Sequence, residues 1–280
     1  MAVLDYLLKF IEEDAPSGDV TSAAIIPDIS CTAVIRAEQE GIIAGIEEAS
    51  ALFSHYGVSV THLTKDGDAV RQNDSLLSLN GDAKKILLVE RTALNIIGRM
   101  SGIATRTRKV ADIVASVNPC CRVAATRKTC PGFRLLDKKA VMIGGGEPQR
   151  LNLSDGILIK DNHLALVPLG NAIQAAKMGT AYKKIEIEVE TPENALSAAK
   201  AGADIIMLDN MSPGQITRTI RVLKSEGLRD RVIIELSGGI DERSLRRYAA
   251  LGVDVISLGV LTHSVRNFSV NLEIMPQIIL

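Results

Sequence analysis

Three cations, two carboxylates and two glycine-bearing turns stand where short apolar runs end in the second half of this chain, and a fourth cation follows a run of three glycines. The cations are Arg127, Lys128, Arg150 and Lys160, the carboxylates Glu188 and Asp209, and the turns Ser237-Gly238-Gly239 and Gly259. A guanidinium presents a planar fork that matches a carboxylate or a phosphate. Backbone amides at a glycine turn that opens a helix hold phosphate. The sequence predicts such a helix from near Asp241, and Gly259 before Val260-Leu261-Thr262 offers a second turn. Paired glycine turns after the last two strands are the usual phosphate cradle of a βα barrel. Glu188 and Asp209 suit ribose hydroxyls or a metal. Together these groups suit a phosphorylated sugar and a multiply anionic partner.

Each of these residues alone has a plainer explanation, since a charged side chain at a strand end is ordinary solvation. The signal is that five successive strand ends carry polar or flexible groups. Other features carry less. Gly144-Gly145-Gly146 lacks a following G-K-[S/T], so it is a flexible turn that positions Arg150 and not a P-loop. His163 follows a strand, where a structural hydrogen bond competes with a catalytic role. His55, His62 and His263 are scattered and lack metal-ligand spacing. Cys31, Cys120, Cys121 and Cys130 form no C-x-x-C pair and are predicted to be reduced thiols.

Two rhythms position these residues. In the first part, Leu4, Leu7, Leu8 and Ile11 follow helical spacing, residues 31–38 alternate as a strand, and residues 46–56 are helical up to Gly57. Residues 58–63 and 75–81 form two strands around an Asp66-Gly67 turn signal. A long helix follows over about 82–117, with a break near Ser101-Gly102. From Arg122 on, β-rich runs at 122–126, 156–160, 184–190, 204–209, 232–237 and 255–259 alternate with helical stretches such as 193–201 and 241–250. That alternation predicts parallel βα units. A seventh strand is expected near Ala140–Ile143. A barrel is favoured over a doubly wound sheet because no G-x-G-x-x-G follows the first strand. Glu186, Glu188 and Glu190 alternate and so face one way, into the barrel or onto a polar rim.

The 280 residues are 46% hydrophobic with a formal net charge of −1, enough material for one large domain or two modest ones. The near-neutral balance disfavours nucleic acid as the main partner. The N-terminus lacks a basic region followed by an apolar run, and no stretch is long and apolar enough for a membrane span. A cytoplasmic protein is expected, with neither nucleic acid nor membrane as partner.

Residues 126–141 (TRKTCPGFRLLDKKAV), GGG at 144–146, Arg150, LSDGILIKDNHL at 153–164, EIEVE at 186–190, AGADIIMLDN at 201–210, ELSGGI at 235–240 and GVDVISLGVLTHS at 252–264 resemble quinolinate phosphoribosyltransferase. GDVTS at 18–22, ERTALN at 90–95 and SGIAT at 101–105 match the family's N-terminal half. The resemblance implies an α/β fold: an N-terminal α/β sandwich domain over 1–105, joined by the tail 265–280, and an open α/β barrel of about seven strands over 106–264. It also implies transfer of phosphoribose from phosphoribosyl pyrophosphate (PRPP) to quinolinate with loss of CO₂, assisted by Mg²⁺, in a homodimer with shared active sites that some members build into hexamers.

Carried over by motif, Arg91 would reach the neighbouring subunit's substrate carboxylate, and Arg127 and Arg150 would clamp the quinolinate carboxylates. Lys128 and Lys160 would sit near the pyrophosphate and the reacting centre. Glu188 and Asp209 would hold ribose hydroxyls and Mg²⁺, directly or through water, and Ser237, Gly238, Gly239 and Gly259 the 5′-phosphate. Lys128, Lys160, Glu188 and Asp209 are the expected catalytic set. Gln149, also expected at the substrate, departs from the family: it stands where a His usually precedes the second clamp arginine. Glutamine keeps a donor but no charge, and a charge-assisted bond is roughly twice as strong as a neutral one. The rival readings are a related transferase acting on nicotinate or another aromatic acid, a non-catalytic phosphosugar-binding paralogue, and a phosphate-binding barrel isomerase or aldolase using Lys160.

Overall fold

The computed structural model describes residues Ala2–Met275, which divide into two compact units. The first takes residues up to Arg106, Met142–Gly144 and the described residues from Val265 on; the second takes Thr107–Val141 and Gly145–Ser264. Of the tail expected to join the first domain, residues 276–280 lie outside the described residues.

In the first unit, helix α1 (Ala2–Asp14) buries Leu7 and Ile11, one turn apart. Helix α2 (Val20–Ile25) starts at Asp19, whose carboxylate accepts from the amides of Thr21 and Ser22 at 3.0 and 3.1 Å. Strand β1 (Ser30–Ala37) alternates strictly, with Ala33, Ile35 and Ala37 fully buried. Next come β2 (Gly41–Ile42), α3 (Ile46–His55), β3 (Ser59–His62), β4 (Ala69–Val70) and β5 (Ser75–Asp82). The antiparallel sheet runs terminal strand (Val270–Ile274), β1, β5, β3. The expected strands at 58–63 and 75–81 do pair, yet not as a tight hairpin around Asp66-Gly67. The connection carries β4, which pairs with β2.

Helix α4 (Ala83–Ala115) is unbroken, against the expected interruption at Ser101-Gly102. The glycines there serve packing. The segment before the terminal strand passes directly over α4, with the Phe268 amide donating to the Gly98 carbonyl at 2.8 Å. A Cβ on Gly102 would lie 2.2 Å from the Arg266 carbonyl oxygen.

The second unit holds β6 (Arg122–Ala124), α5 (Arg134–Ile143), β7 (Ile157–Ile159), α6 (Asp161–Leu164), α7 (Leu169–Gly179), β8 (Ile185–Val189), α8 (Pro192–Ala201), β9 (Ile205–Asp209), α9 (Pro213–Ser225), β10 (Ile233–Ser237), α10 (Leu245–Ala249), β11 (Val255–Ser257) and α11 (Val260–His263). Its six strands are all parallel, in the order β6-β11-β10-β9-β8-β7. From β7 to β11 each strand is added beside its predecessor, and the first strand, β6, pairs with the last. A doubly wound sheet reverses its order midway. This order is that of a barrel left open between its first two strands.

The expected seventh strand at Ala140–Ile143 is instead the end of α5. Apolar residues there follow helical spacing, with Leu136, Ala140 and Val141 buried. What extends the sheet past β6 is a single parallel bridge between Ala124 and Glu147. The core is aliphatic. Ile206, Ile234 and Ile256, on adjacent strands, are fully buried, and truncating one such side chain to alanine costs about 2–5 kcal/mol.

Candidate functional site

Parallel strands send their C-terminal ends to one side of the sheet, so register alone sets which side chains become neighbours. Ile159 of β7 pairs with Ile187 of β8, which places Lys160 beside Glu188, and the two form an ion pair. Ser237 of β10 pairs with Asp209 of β9. The Lys160 amide donates to His163 Nδ1 at 3.0 Å, so His163 has the structural role of fixing the start of α6. Past β6, the Lys128 amide donates to Thr126 Oγ1 at 3.2 Å, and the Lys128 carbonyl accepts from Thr262 Oγ1 at 2.8 Å.

These ends line a cavity of about 460 Å³. Its walls include Arg127, Lys128, Gln149, Arg150, Lys160, Glu188, Asp209, Ser237, Gly238 and Gly239. A smaller adjoining cavity is lined by Lys128, the same glycine turn, Gly259 and His263. Of the site residues expected from the sequence, Gly259 therefore lines only the smaller cavity. Arg91 lies on α4 in the first unit, exposed, with Glu90 at 3.8 Å, and lines neither cavity.

Not every cation of the wall is paired as Lys160 is with Glu188. Arg127 Nε is buried without a hydrogen-bond partner among the described residues. Burial, and next the charge of Arg127, disfavour the protonated form of Arg150, while Glu186 and Asp155 favour it, and its Nη1 donates to the Gly156 carbonyl at 3.4 Å. Two arginines drawn together under partial burial create a strong preference for an anion. On the acidic side, burial and then the Glu188 charge raise the Asp209 pKa, while Asn210 Nδ2 donates to Asp209 Oδ2 at 2.6 Å and opposes the rise.

The glycine turn differs from expectation. No helix starts near Asp241: residues 241–244 form a local turn, and the five-residue α10 begins at Leu245. Gly238 and Gly239 instead have φ of +90° and +61°. A Cβ on Gly238 would lie 2.3 Å from Asn210 Oδ1, so only glycine lets the turn close against β9. The turn thus offers exposed amides without a helix behind them. Gly146 is likewise no loose hinge, since a Cβ there would meet Thr107 and Val141 at 2.8 and 2.9 Å.

Sequence reasoning missed three participants. His263 was set aside as isolated, yet α11 brings it to the smaller cavity. Lys138 and Glu235, 2% and 3% exposed, bond respectively to Pro148 and to the lining residue Gln149 and lie in runs that look like ordinary helix and strand. The Lys138 ammonium donates to the Pro148 carbonyl; burial, then Arg134 and Arg127, lower its pKa to about 8. The three glutamates of β8 and its end do not share one environment. Glu186 is buried, Glu188 half-buried and Glu190 exposed. Burial raises the Glu186 pKa, and the Glu235 carboxylate raises it further.

The comparison with known proteins places this geometry. The family model described as quinolinate phosphoribosyl transferase, C-terminal domain, matches residues 103–273, and its N-terminal counterpart matches residues 19–101. A probable nicotinate-nucleotide pyrophosphorylase [carboxylating] of Methanothermobacter thermautotrophicus is 42% identical over 275 residues, covering 97% of this chain and 99% of that protein. The nicotinate-nucleotide pyrophosphorylase [carboxylating] of Rattus norvegicus is 34% identical, covering 91% and 85%. The structure of the Francisella tularensis nicotinate-nucleotide pyrophosphorylase superposes with a TM-score of 0.90 at 34% identity, covering 98% and 96%.

Proposed function

The chain belongs to the quinolinate phosphoribosyl transferase family, and from that premise we propose that it transfers phosphoribose from PRPP to quinolinate, releasing pyrophosphate and CO₂ and forming nicotinate mononucleotide for NAD synthesis. The observation that carries this reading is the cavity itself, which two arginines, one with a buried nitrogen lacking a partner among the described residues, line together with an acidic pair and a glycine turn.

Arg127 and Arg150 take the two pyridine carboxylates, and their forks orient the ring nitrogen towards ribose C1. Ser237, Gly238, Gly239 and Gly259 take the 5′-phosphate, with His263 lining the same smaller cavity. The nitrogen attacks C1 as pyrophosphate leaves, through an oxocarbenium-like transition state. Glu188 and Asp209 favour the cationic sugar, and Lys128 and Lys160 balance charge growing on the pyrophosphate. Holding two polyanions in line supplies several kcal/mol. CO₂ then leaves the ring carbon beside the new pyridinium nitrogen, whose positive charge stabilises the electron pair left there until a proton from water forms the C–H bond that replaces the lost carboxylate.

The acidic pair fits Mg²⁺. Asp209 and Glu188 crowd each other's charge, and among the described residues no group of three or more His, Cys, Asp or Glu forms a metal cage. Two carboxylates completed by substrate phosphates are what Mg²⁺ accepts. Glu188 and Asp209 would hold it directly or through water, and when bound it neutralises charge on the departing pyrophosphate.

The working form is proposed to be a homodimer, or a hexamer of such dimers, in which Arg91 of a second copy reaches the substrate. A cytoplasmic location is part of this proposal. No helix among the described residues is long and apolar enough to cross a membrane.

Isothermal titration with quinolinate, followed by mass analysis of products formed with PRPP and Mg²⁺, tests the proposal. Quinolinate binding and a decarboxylated mononucleotide are expected. Turnover of nicotinate in place of quinolinate, or PRPP binding without any product, would overturn it.

A further inference from the structure

Gln149 lines the larger cavity, and its surroundings fix it closely. Its backbone is left-handed, with φ of +54°. On one side the Pro148 carbonyl is held by Lys138, and Glu147 is bridged to β6. On the other, Arg150 reaches the Gly156 carbonyl at 3.4 Å. What freedom remains is in the side chain, and its Nε2 donates to Glu235 Oε1 at 3.2 Å.

An ionised carboxylate only accepts, so Gln149 must turn its NH₂ down to Glu235. That leaves the amide oxygen and one N–H for the cavity. A substrate carboxylate is repelled by that oxygen. A protonated Glu235 can donate to Gln149 Oε1 instead, which turns the amide over and frees both N–H bonds. We propose that Glu235 is a specificity-determining positioning residue that, when it carries a proton, orients Gln149 to donate both N–H bonds towards a carboxylate of the pyridine substrate. This rests on the quinolinate reading above and deepens it: a hydrogen-bonded pair, Glu235 and Gln149, sets which groups meet one substrate carboxylate.

The surroundings of Glu235 favour the proton. It is 3% exposed on β10. Glu186 on β8 is the second buried carboxylate near it, with one oxygen unpartnered. Lys138 on α5 faces it and favours its anion, as does the Ser257 hydroxyl on β11. Its register partners Met207 on β9 and Val255 on β11 are uncharged. Burial outweighs both opposing groups, and the Glu235 pKa is raised.

The test is quinolinate affinity of the full chain, by titration without PRPP, between about pH 6 and about pH 8, where both substrate carboxylates stay ionised. One hydrogen bond gained or lost predicts an affinity roughly threefold to tenfold weaker at the higher pH. In Gln149→Leu, affinity is lower and this pH dependence is gone, although Glu235 is intact. In Glu235→Gln, whose side chain can donate at every pH, affinity stays flat, and in turnover the pH dependence of KM flattens while that of kcat is unchanged. A pH dependence that persists in Gln149→Leu overturns the inference while leaving quinolinate binding standing. Absence of quinolinate binding at every pH overturns the functional reading and this one with it.

Discussion

Glu186 shows how much this site asks of single residues. The residue is 6% exposed, one carboxylate oxygen lacks a partner among the described residues, and burial followed by the Glu235 charge raises its pKa. A raised folded value means the native state holds a proton that the unfolded chain, at the ordinary value of 4.5, has released. The resulting stability is fully present below 4.5 and is lost as pH rises through the raised value. Glu186→Gln should remove that loss and, at alkaline pH, leave the variant about 1–3 kcal/mol more stable than the parent. Urea unfolding at several pH values checks this; parallel stability curves for parent and variant would show Glu186 to be an ordinary acid in the fold. Lys138 and Glu235 were invisible in the sequence for a related reason. Their chemistry comes from being buried near other charges, and no local pattern records burial of that kind.

At the scale of elements, glycine is where local expectation and structure part most clearly. By propensity, Gly102 weakens α4, and alanine in a helix is better by about 1 kcal/mol. Here the Arg266 carbonyl occupies the space a Cβ would need. Gly102→Ala should therefore destabilise by roughly 1–3 kcal/mol, opposite in sign to the propensity effect. Chemical denaturation decides between them, and a stabilised variant would mean that the chain over α4 yields freely. The strands at 122–126 through 255–259 were legible because apolar runs bounded by turn residues carry their own signature. Their ends were read one or two residues long, since pairing stops where register runs out. The expected strand at 140–143 failed because a short apolar stretch lacks a period of its own; its neighbours Arg134–Lys139 make it the end of a helix.

For the whole molecule, the proposed shared site has a direct consequence. Arg91 on α4 and Arg127 past β6 belong to different units of the chain. If one copy's Arg91 completes another copy's site, Arg91→Ala and Arg127→Ala are each inactive alone. When mixed and allowed to exchange subunits, half the dimers pair one variant with the other, and each has one intact site of two. Recovery of about a quarter of the parent activity is expected. No recovery in dimers shown to be mixed would place Arg91 outside the site.

The sequence by itself determined the strand–helix alternation, the residues at the strand ends and, through long ordered motifs, the family resemblance, because each is written in contiguous residues. Tertiary structure alone decided that β6 pairs with β11 and that Gly238 must be glycine to clear Asn210. It also decided that His263 reaches a cavity, that Glu235 bonds to Gln149 and that Lys138 holds the Pro148 carbonyl. These are relations between residues far apart along the chain. They depend on strand register and on which groups lose their water, and both are set only when the whole barrel has packed.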